Sequence, residues 1–307
     1  MKFSLVIPLA PGRNAEIIDS IKELNYSKKE YEVIVREGLN PSENRNNGAK
    51  AAKGKIIVFL DDDAVLDVNY LKEAELFLDK YKEIDIVGGA QLTPKWQKGF
   101  AKISGYALSS KFGAWKMGTR YDRKELRLDA DETMLTSANL MCKREVMQKI
   151  QFDLNLFPGE DPKFIDDAKK AGLKVAYSPD LILYHKRRET IRALIKQISS
   201  YGRTRTKKEK FTETLKKPFF LIPLLFCIYL FSILILIPLK LIGVDLISYF
   251  ILFIPLFFYL EINFLTSVYE SIVHKNILAV FWLIFIFPLI HISYGLGMIQ
   301  GYLNKMR

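Results

Sequence analysis

Three consecutive carboxylates, Asp61-Asp62-Asp63, follow directly on the apolar run Ile56-Ile57-Val58-Phe59-Leu60. The run is short, rich in β-branched residues and preceded by Gly54-Lys55, which is the pattern of a buried strand. Carboxylates crowded at the end of such a strand repel one another and lose hydration, and a divalent cation is the natural compensation. In open α/β sheets, ligands bind at the carboxyl ends of strands, where this triplet falls. The triplet also fits a solvated acidic turn opening the next helix, because Asp favours helix starts. Further along, Phe157-Pro158-Gly159-Glu160-Asp161 sets an acidic pair in a Pro-Gly turn that opens a helix, with Ala171-Gly172 at its end. Ser178–Lys186 reads as a strand ending in Tyr184-His185-Lys186, and Thr136–Met141 is a small, polar-to-apolar segment suited to lining a cleft. A triplet, a pair and a histidine could form one site for metal binding and proton transfer. The plainer alternatives are a helix cap at Glu160-Asp161 and a core or phosphate-binding role for His185.

The elements that would position these groups alternate. Strands are expected at Phe3–Ile7, Glu32–Val35, Lys55–Leu60 and Asp85–Gly89, and helices at Asn14–Leu24, Ser42–Lys53 and Val68–Tyr81. This order predicts a parallel sheet with helices on both faces. Trp96–Ser110 places Trp96, Phe100, Ile103 and Tyr106 or Ala107 on one helical face. The basic and aromatic stretch from Lys95 to Arg127 suits a lipid head-group layer better than nucleic acid, given the apolar C-terminal part. Gly48–Lys55 has five residues between its glycines and precedes a strand, so it is not a phosphate loop. No G-x-G-x-x-G follows the first strand, so a dinucleotide fold is not supported.

Residues 218–307 contain four basic and three acidic residues, against 41 and 31 in residues 1–217. Three stretches in this part are long enough to span a bilayer: Pro218–Leu239, Leu246–Leu260 extending toward Val268, and Ile277–Ile299. Pro223, Pro238, Pro255 and Pro288 lie in or near them, and proline at such positions can break or kink a helix. Arg203, Arg205, Lys207, Lys208, Lys210, Lys216 and Lys217 precede the first span, opposed by Glu209 and Glu213, and predict a cytoplasmic soluble domain on a multi-pass cell-membrane protein. Three passes would leave Lys305 and Arg307 outside, against the same rule. Phe3–Leu9 is too short for a signal peptide and is interrupted by Pro8. Cys142 and Cys227 suggest no disulfide framework.

The order of motifs resembles a family-2 glycosyltransferase with the GT-A fold. The segments are VIP in the first strand, ENRNNGAKAAKGKIIVFLDDD, TSANLMCKRE, and PGEDPKF followed by AGLKVAYSPDLILYHKR. The resemblance is nearest to membrane-anchored enzymes of the succinoglycan type, with Ser200-Tyr201-Gly202-Arg203 matching their basic helix before the apolar tail. It implies an α/β GT-A, Rossmann-like nucleotide-sugar domain over 1–205, a basic linker over 206–217 and about three transmembrane helices over 218–307. It also implies that Pro8, Glu37, Arg45 and Asn46 border the base and ribose, and that Asp61 and Asp62 approach the donor. Asp63, Asp61 and His185 would hold Mn2+ or Mg2+, and Asp161, with Glu160 beside it, would be the catalytic base. The donor would be a nucleotide sugar, a UDP-sugar first, and the acceptor a polyprenyl-linked saccharide.

Two departures bear on specificity. Val35-Arg36-Glu37-Gly38 stands where the family usually carries an acid pair that reads the base. The Q-x-x-R-W motif of processive synthases is absent, since Gln197 is followed by Ile-Ser-Ser-Tyr201, and single-sugar transfer is the expectation. The competing expectations are transfer onto polyprenyl phosphate, which needs no base, and a non-catalytic membrane scaffold.

Overall fold

The computed structural model describes residues 1–241 and 248–306. The expected Leu246 start of the second span and Arg307 lie outside the described residues. In chain order the elements are β1 (Phe3–Leu9), α1 (Ile17–Lys22), β2 (Tyr31–Glu37), α2 (Pro41–Ala51), β3 (Ile56–Leu60), β4 (Ala64–Leu66), α3 (Tyr70–Lys80), β5 (Ile86–Gly88) and β6 (Gln91–Leu92). There follow α4 (Gly99–Ser109), α5 (Lys111–Ala114), β7 (Asn139–Lys143), α6 (Val146–Lys149), α7 (Glu160–Lys170), β8 (Val175–Tyr177) and β9 (Leu183–His185). The helices α8 (Ile191–Lys208), α9 (Phe211–Leu215), α10 (Ile222–Leu241), α11 (Tyr249–Val273) and α12 (Ala279–Met306) complete the chain. Two compact units result: residues 1–97 with 116–187, and residues 98–115 with 188–307. The boundary expected at residue 205 and the linker expected from 206 thus meet a continuous helix, α8, that belongs wholly to the second unit.

The first unit is built on a six-stranded sheet of order β2-β1-β3-β7-β5-β8. β1 pairs parallel with β2 and β3, and β5 with β8, but β7 runs antiparallel to both β3 and β5. The expected all-parallel sheet is therefore mixed, because the long excursion after β6 returns the chain from the opposite end of the sheet. Alternation along β1 sends Phe3, Leu5 and Ile7 to a core shared with α1 and α3. Val6 points to the other face, where Ala49, Val146, Phe164 and Ile165 from α2, α6 and α7 pack. All five residues of β3 are buried, as its unbroken apolar run requires. The segment expected to line a cleft instead supplies β7. Its Asn139 is fully buried, donating to the carbonyls of Ala90 and Leu181 and accepting from the Tyr70 hydroxyl at 2.6 Å. The strand expected over Ser178–Lys186 shortens to β9, and the helix expected from Trp96 begins at Gly99.

The second unit is helical. Among the described residues, α10, α11 and α12 are the helices long and apolar enough to cross a membrane. They run on through Pro238, Pro255 and Pro288, so these prolines do not end them. Lipid-facing helices tolerate proline where neighbouring groups re-satisfy the freed carbonyls.

Candidate active site

The metal-type end of the site is assembled by strand register. β3 ends at Leu60, and Asp61–Asp63 turn the chain into β4, with the Ala64 amide donating to the Asp61 carbonyl at 3.3 Å. β4 pairs antiparallel with β9 in a small second sheet, placing Ala64 opposite His185. That register brings His185 Nε2 to 3.2 Å from Asp63 Oδ1 and 3.6 Å from Asp61 Oδ2. Asp62 pairs with a cation from the loop after β1, its Oδ2 lying 3.0 Å from Arg13 Nε. Arg13 Nη2 also reaches Asp63 Oδ2 at 3.4 Å.

Burial works against the charge on His185 and on the three carboxylates, and their neighbours decide the outcome. His185 is penalised by burial, but the carboxylates of Asp61 and Asp63 outweigh this and raise it to about 9. Burial likewise opposes ionisation of Asp63, yet His185 and Arg13 hold it well below the usual carboxylate range. Asp61 is held low by His185 and Arg45 against burial. Asp62 is pushed up by burial, with Asp63 and Asp61 adding to it against Arg13.

The donor set fits a divalent cation. One oxygen each from Asp61 and Asp63 and a nitrogen of His185 lie within 4.8 Å of one another. Two carboxylates and an imidazole suit Mn2+ or Mg2+, with the nitrogen favouring Mn2+. His185 Nδ1 lies 3.1 Å from the Lys186 carbonyl. A proton placed there leaves the Nε2 lone pair aimed at the two carboxylates, the arrangement a ligating imidazole uses.

The acidic pair lies in the first turn of α7, so it is a helix start, and not the preceding bend, that presents Asp161. Gly159 caps that helix at φ 118°, a conformation that side-chain-bearing residues rarely adopt. Glu160 Oε2 accepts from the Gly159 amide at 2.9 Å, and its Oε1 accepts from Arg45 Nη1 at 2.9 Å. Arg45 Nη2 donates to Asp61 Oδ1 at 3.0 Å, so one buried guanidinium joins both acidic groups. Arg45 projects from α2, whose start is fixed by Asn40 accepting from the amides of Ser42 and Glu43. Phe152, stacked on Phe164, packs 5.6 Å from that guanidinium. Burial and the neighbouring Asp161 charge push Glu160 up, against the pull of Arg45. Asp161 Oδ1 is buried and accepts no hydrogen bond among the described residues. A buried carboxylate oxygen kept without a donor is costly and is the form a proton acceptor takes.

The remaining expected residues are more dispersed. Pro8 is buried near the end of β1, in register with Arg36. Glu37, exposed at the end of β2, lines a cavity of about 460 Å³ with Arg36, Asn44, Asn47 and Lys50. The Asn46 side chain is committed to the backbone of Phe152, donating to its carbonyl at 2.8 Å and accepting from its amide at 3.0 Å. Arg13 was not singled out from the sequence. It sits in an irregular loop 49 and 50 positions from its partners, and its only signal there was an unassigned cation following a strand end.

Staphylococcus aureus TarS 1-349 in complex with UDP-GlcNAc is similar at 16% identity, with 65% of this chain and 65% of that one covered and a TM-score of 0.47. A mannosyltransferase from Pyrobaculum calidifontis in complex with GDP-Man and Mn2+ is similar at 14% identity, with 64% and 61% covered and a TM-score of 0.47. The chain spans 40% of the longer TarS structure and a little under two thirds of the shorter ones. No curated protein matches the chain. The family model described as "Glycosyltransferase like family 2" matches residues 4–200, well over half of the sequence. By that match, the chain, with its mixed α/β sheet and acidic strand end, belongs to glycosyltransferase family 2.

Proposed function

We propose that this glycosyltransferase moves one sugar from a nucleotide-sugar donor, a UDP-sugar first, to a polyprenyl-linked saccharide at the cytoplasmic face of a cell membrane, with inversion at the anomeric carbon. The observation that carries the reading is the pairing of two unlike acidic clusters through Arg45. One is a ligand-type trio, Asp61, Asp63 and His185. The other presents the undonated oxygen of Asp161. The acceptor oxygen attacks the anomeric carbon, the bond to the diphosphate breaks, and Asp161 takes the acceptor's proton. Arg45 holds Glu160 and Asp61 in fixed relation while this happens. Asp61, Asp63 and His185 would hold Mn2+ or Mg2+, and such an ion neutralises charge on a departing diphosphate. The absent Q-x-x-R-W motif supports a single transfer, and the three long apolar helices with the basic run before them support a lipid-borne acceptor.

The test is incubation of membranes holding the full chain with a panel of radiolabelled nucleotide sugars, followed by lipid extraction. Label in the lipid fraction that needs Asp161 and a divalent cation supports the reading. Label that persists undiminished in Asp161→Asn moves the acceptor to polyprenyl phosphate, which is already ionised. No label with any donor, from correctly folded protein supplied with lipid extract, leaves the scaffold alternative.

A further inference from the structure

The three apolar helices of the second unit are not alike. Protein covers 44% of the apolar stretch of α12, against 17% for α10 and for α11. What covers α12 is the informative part. Its second half lies along α8, which carries Arg192, Lys196, Arg203, Arg205, Lys207 and Lys208. The two helices approach to backbone contact. A Cβ at Gly202 would overlap the carbonyl of Tyr294, and one at Gly297 would overlap the carbonyl of Ser199. Arg203 Nη1 donates to Gln300 Oε1 at 2.7 Å, and the Phe211 ring meets Tyr302 edge-on at 5.6 Å. The first half of α12 is covered by α4 and α5, through Phe100 on Trp282, Phe112 on Phe287, and the Phe112 carbonyl at 2.8 Å from His291 Nε2.

α10 supplies a depth scale. Its first turns meet α12: Cys227 Sγ lies 3.5 Å from the Ile292 carbonyl, and Gly295 packs on the carbonyl of Pro223. Phe220, just before α10, lies 3.5 Å under the Arg205 guanidinium. The last turns of α12 therefore stand level with the basic run of Lys207–Lys217 and not with the apolar length of α10. A spanning α12 would draw α8 and its cations into hydrocarbon, where each is strongly disfavoured.

We propose that α12 does not cross the bilayer. α10 and α11 form a two-pass hairpin, and α12 lies along the membrane face on the side of the basic run, with its C-terminus on that side. Lipid is the occupant of its uncovered face, since Phe281 and Phe285 are exposed there, as are Ile272 and Val273 at the end of α11. This arrangement also returns Lys305 and Arg307 to the side that the positive-inside rule assigns them. The inference rests on reading α10 and α11 as spans and is independent of the sugar chemistry.

The test uses the full chain in sealed vesicles of both orientations and a membrane-impermeant maleimide, with Cys142 and Cys227 replaced by Ala. Single cysteines are introduced by Lys210→Cys, Asn304→Cys and, between α10 and α11, Asp245→Cys. The expected result is labelling of the Lys210→Cys and Asn304→Cys proteins from one face, with loss of labelling from the other, and the reverse for Asp245→Cys. Asn304→Cys sharing the face of Asp245→Cys overturns the proposal in favour of three passes. All three labelled from one face overturns it by removing the hairpin itself. A second measurement makes Trp282 the sole tryptophan by Trp96→Phe and Trp115→Phe. Lipids brominated near the head group should quench it more than lipids brominated near the chain ends. The opposite order overturns the in-plane placement.

Discussion

The two acidic clusters of the catalytic unit contain similar groups and are compensated differently. At the end of β3, three carboxylates face His185 and an arginine that is half exposed, so their charge is met from the edge. At the start of α7, Glu160 is met by Arg45, and both are almost fully buried. The first arrangement leaves oxygen atoms available to an added cation. The second is closed around Glu160, whose ionisation burial and Asp161 oppose and Arg45 favours. An acidic site can thus divide ligand binding from proton acceptance by how each carboxylate is neutralised and not by which residue type is used.

The sharpest break in that comparison is Asp63→Asn. It removes one ligand-type oxygen and should lower transfer by at least about 10³-fold while leaving the melting temperature near the parent's, read as transfer with Mn2+ and with chelator. Retained turnover in chelator would merge the two clusters into one metal-free site. Next comes Arg45→Met, which strands a buried carboxylate at Glu160 and should cost about 3–5 kcal/mol of stability in urea unfolding. The double variant Arg45→Met with Glu160→Leu should recover most of that loss. If it does not, Arg45 matters through Asp61 and the clusters are less separate than drawn.

Asp161→Asn keeps the size and loses the basicity. Transfer should fall at least about 10²-fold with donor affinity unchanged, and Glu160→Gln should lose less. Loss of donor binding alone would move Asp161 to the ligand side of the comparison. The smallest effect belongs to a carboxylate outside both clusters. Asp85 accepts from the Lys174 amide at 2.9 Å and from Lys143 Nζ at 3.0 Å, and these outweigh burial and lower it. A folded value below the unfolded one gives stability that is complete above about pH 4 and lost as pH falls through the folded value. Asp85→Asn should remove about 1 kcal/mol or less of that acid-side dependence in pH-dependent unfolding.

The strands β1, β2, β3 and β5 and the acidic motifs were legible because they are local. β3 announces itself by five apolar residues in a row, and the triplet follows in sequence as it does in space. His185 was legible as a candidate, but its arrival beside Asp63 depends on the β4–β9 register, which pairs residues more than a hundred positions apart. β7 was not legible as a strand, since its segment read as a cleft lining, and its direction could not have been read either, because antiparallel and parallel buried strands share one apolar pattern. Arg13 was invisible for the same reason: its partners are fixed by loop geometry. Glu160 and Asp161 were seen as a pair, yet only the placement of α2 against α7 separates one into an ion pair and leaves one oxygen of the other without a donor among the described residues.

The bond between Asn46 and Phe152 has a mechanical consequence. A side-chain amide that both donates to and accepts from one peptide unit does the work of a ladder rung, here between α2 and the segment entering α7. The wall that carries Arg45 and the wall that carries Asp161 are pinned as one stiff body. Motion during turnover must then be found elsewhere, in the loop of Arg13 or at the β4–β9 sheet. In hydrogen exchange, the Phe152 amide should open only with the unfolding of the whole catalytic unit, while the amides around Arg13 exchange through small, frequent openings.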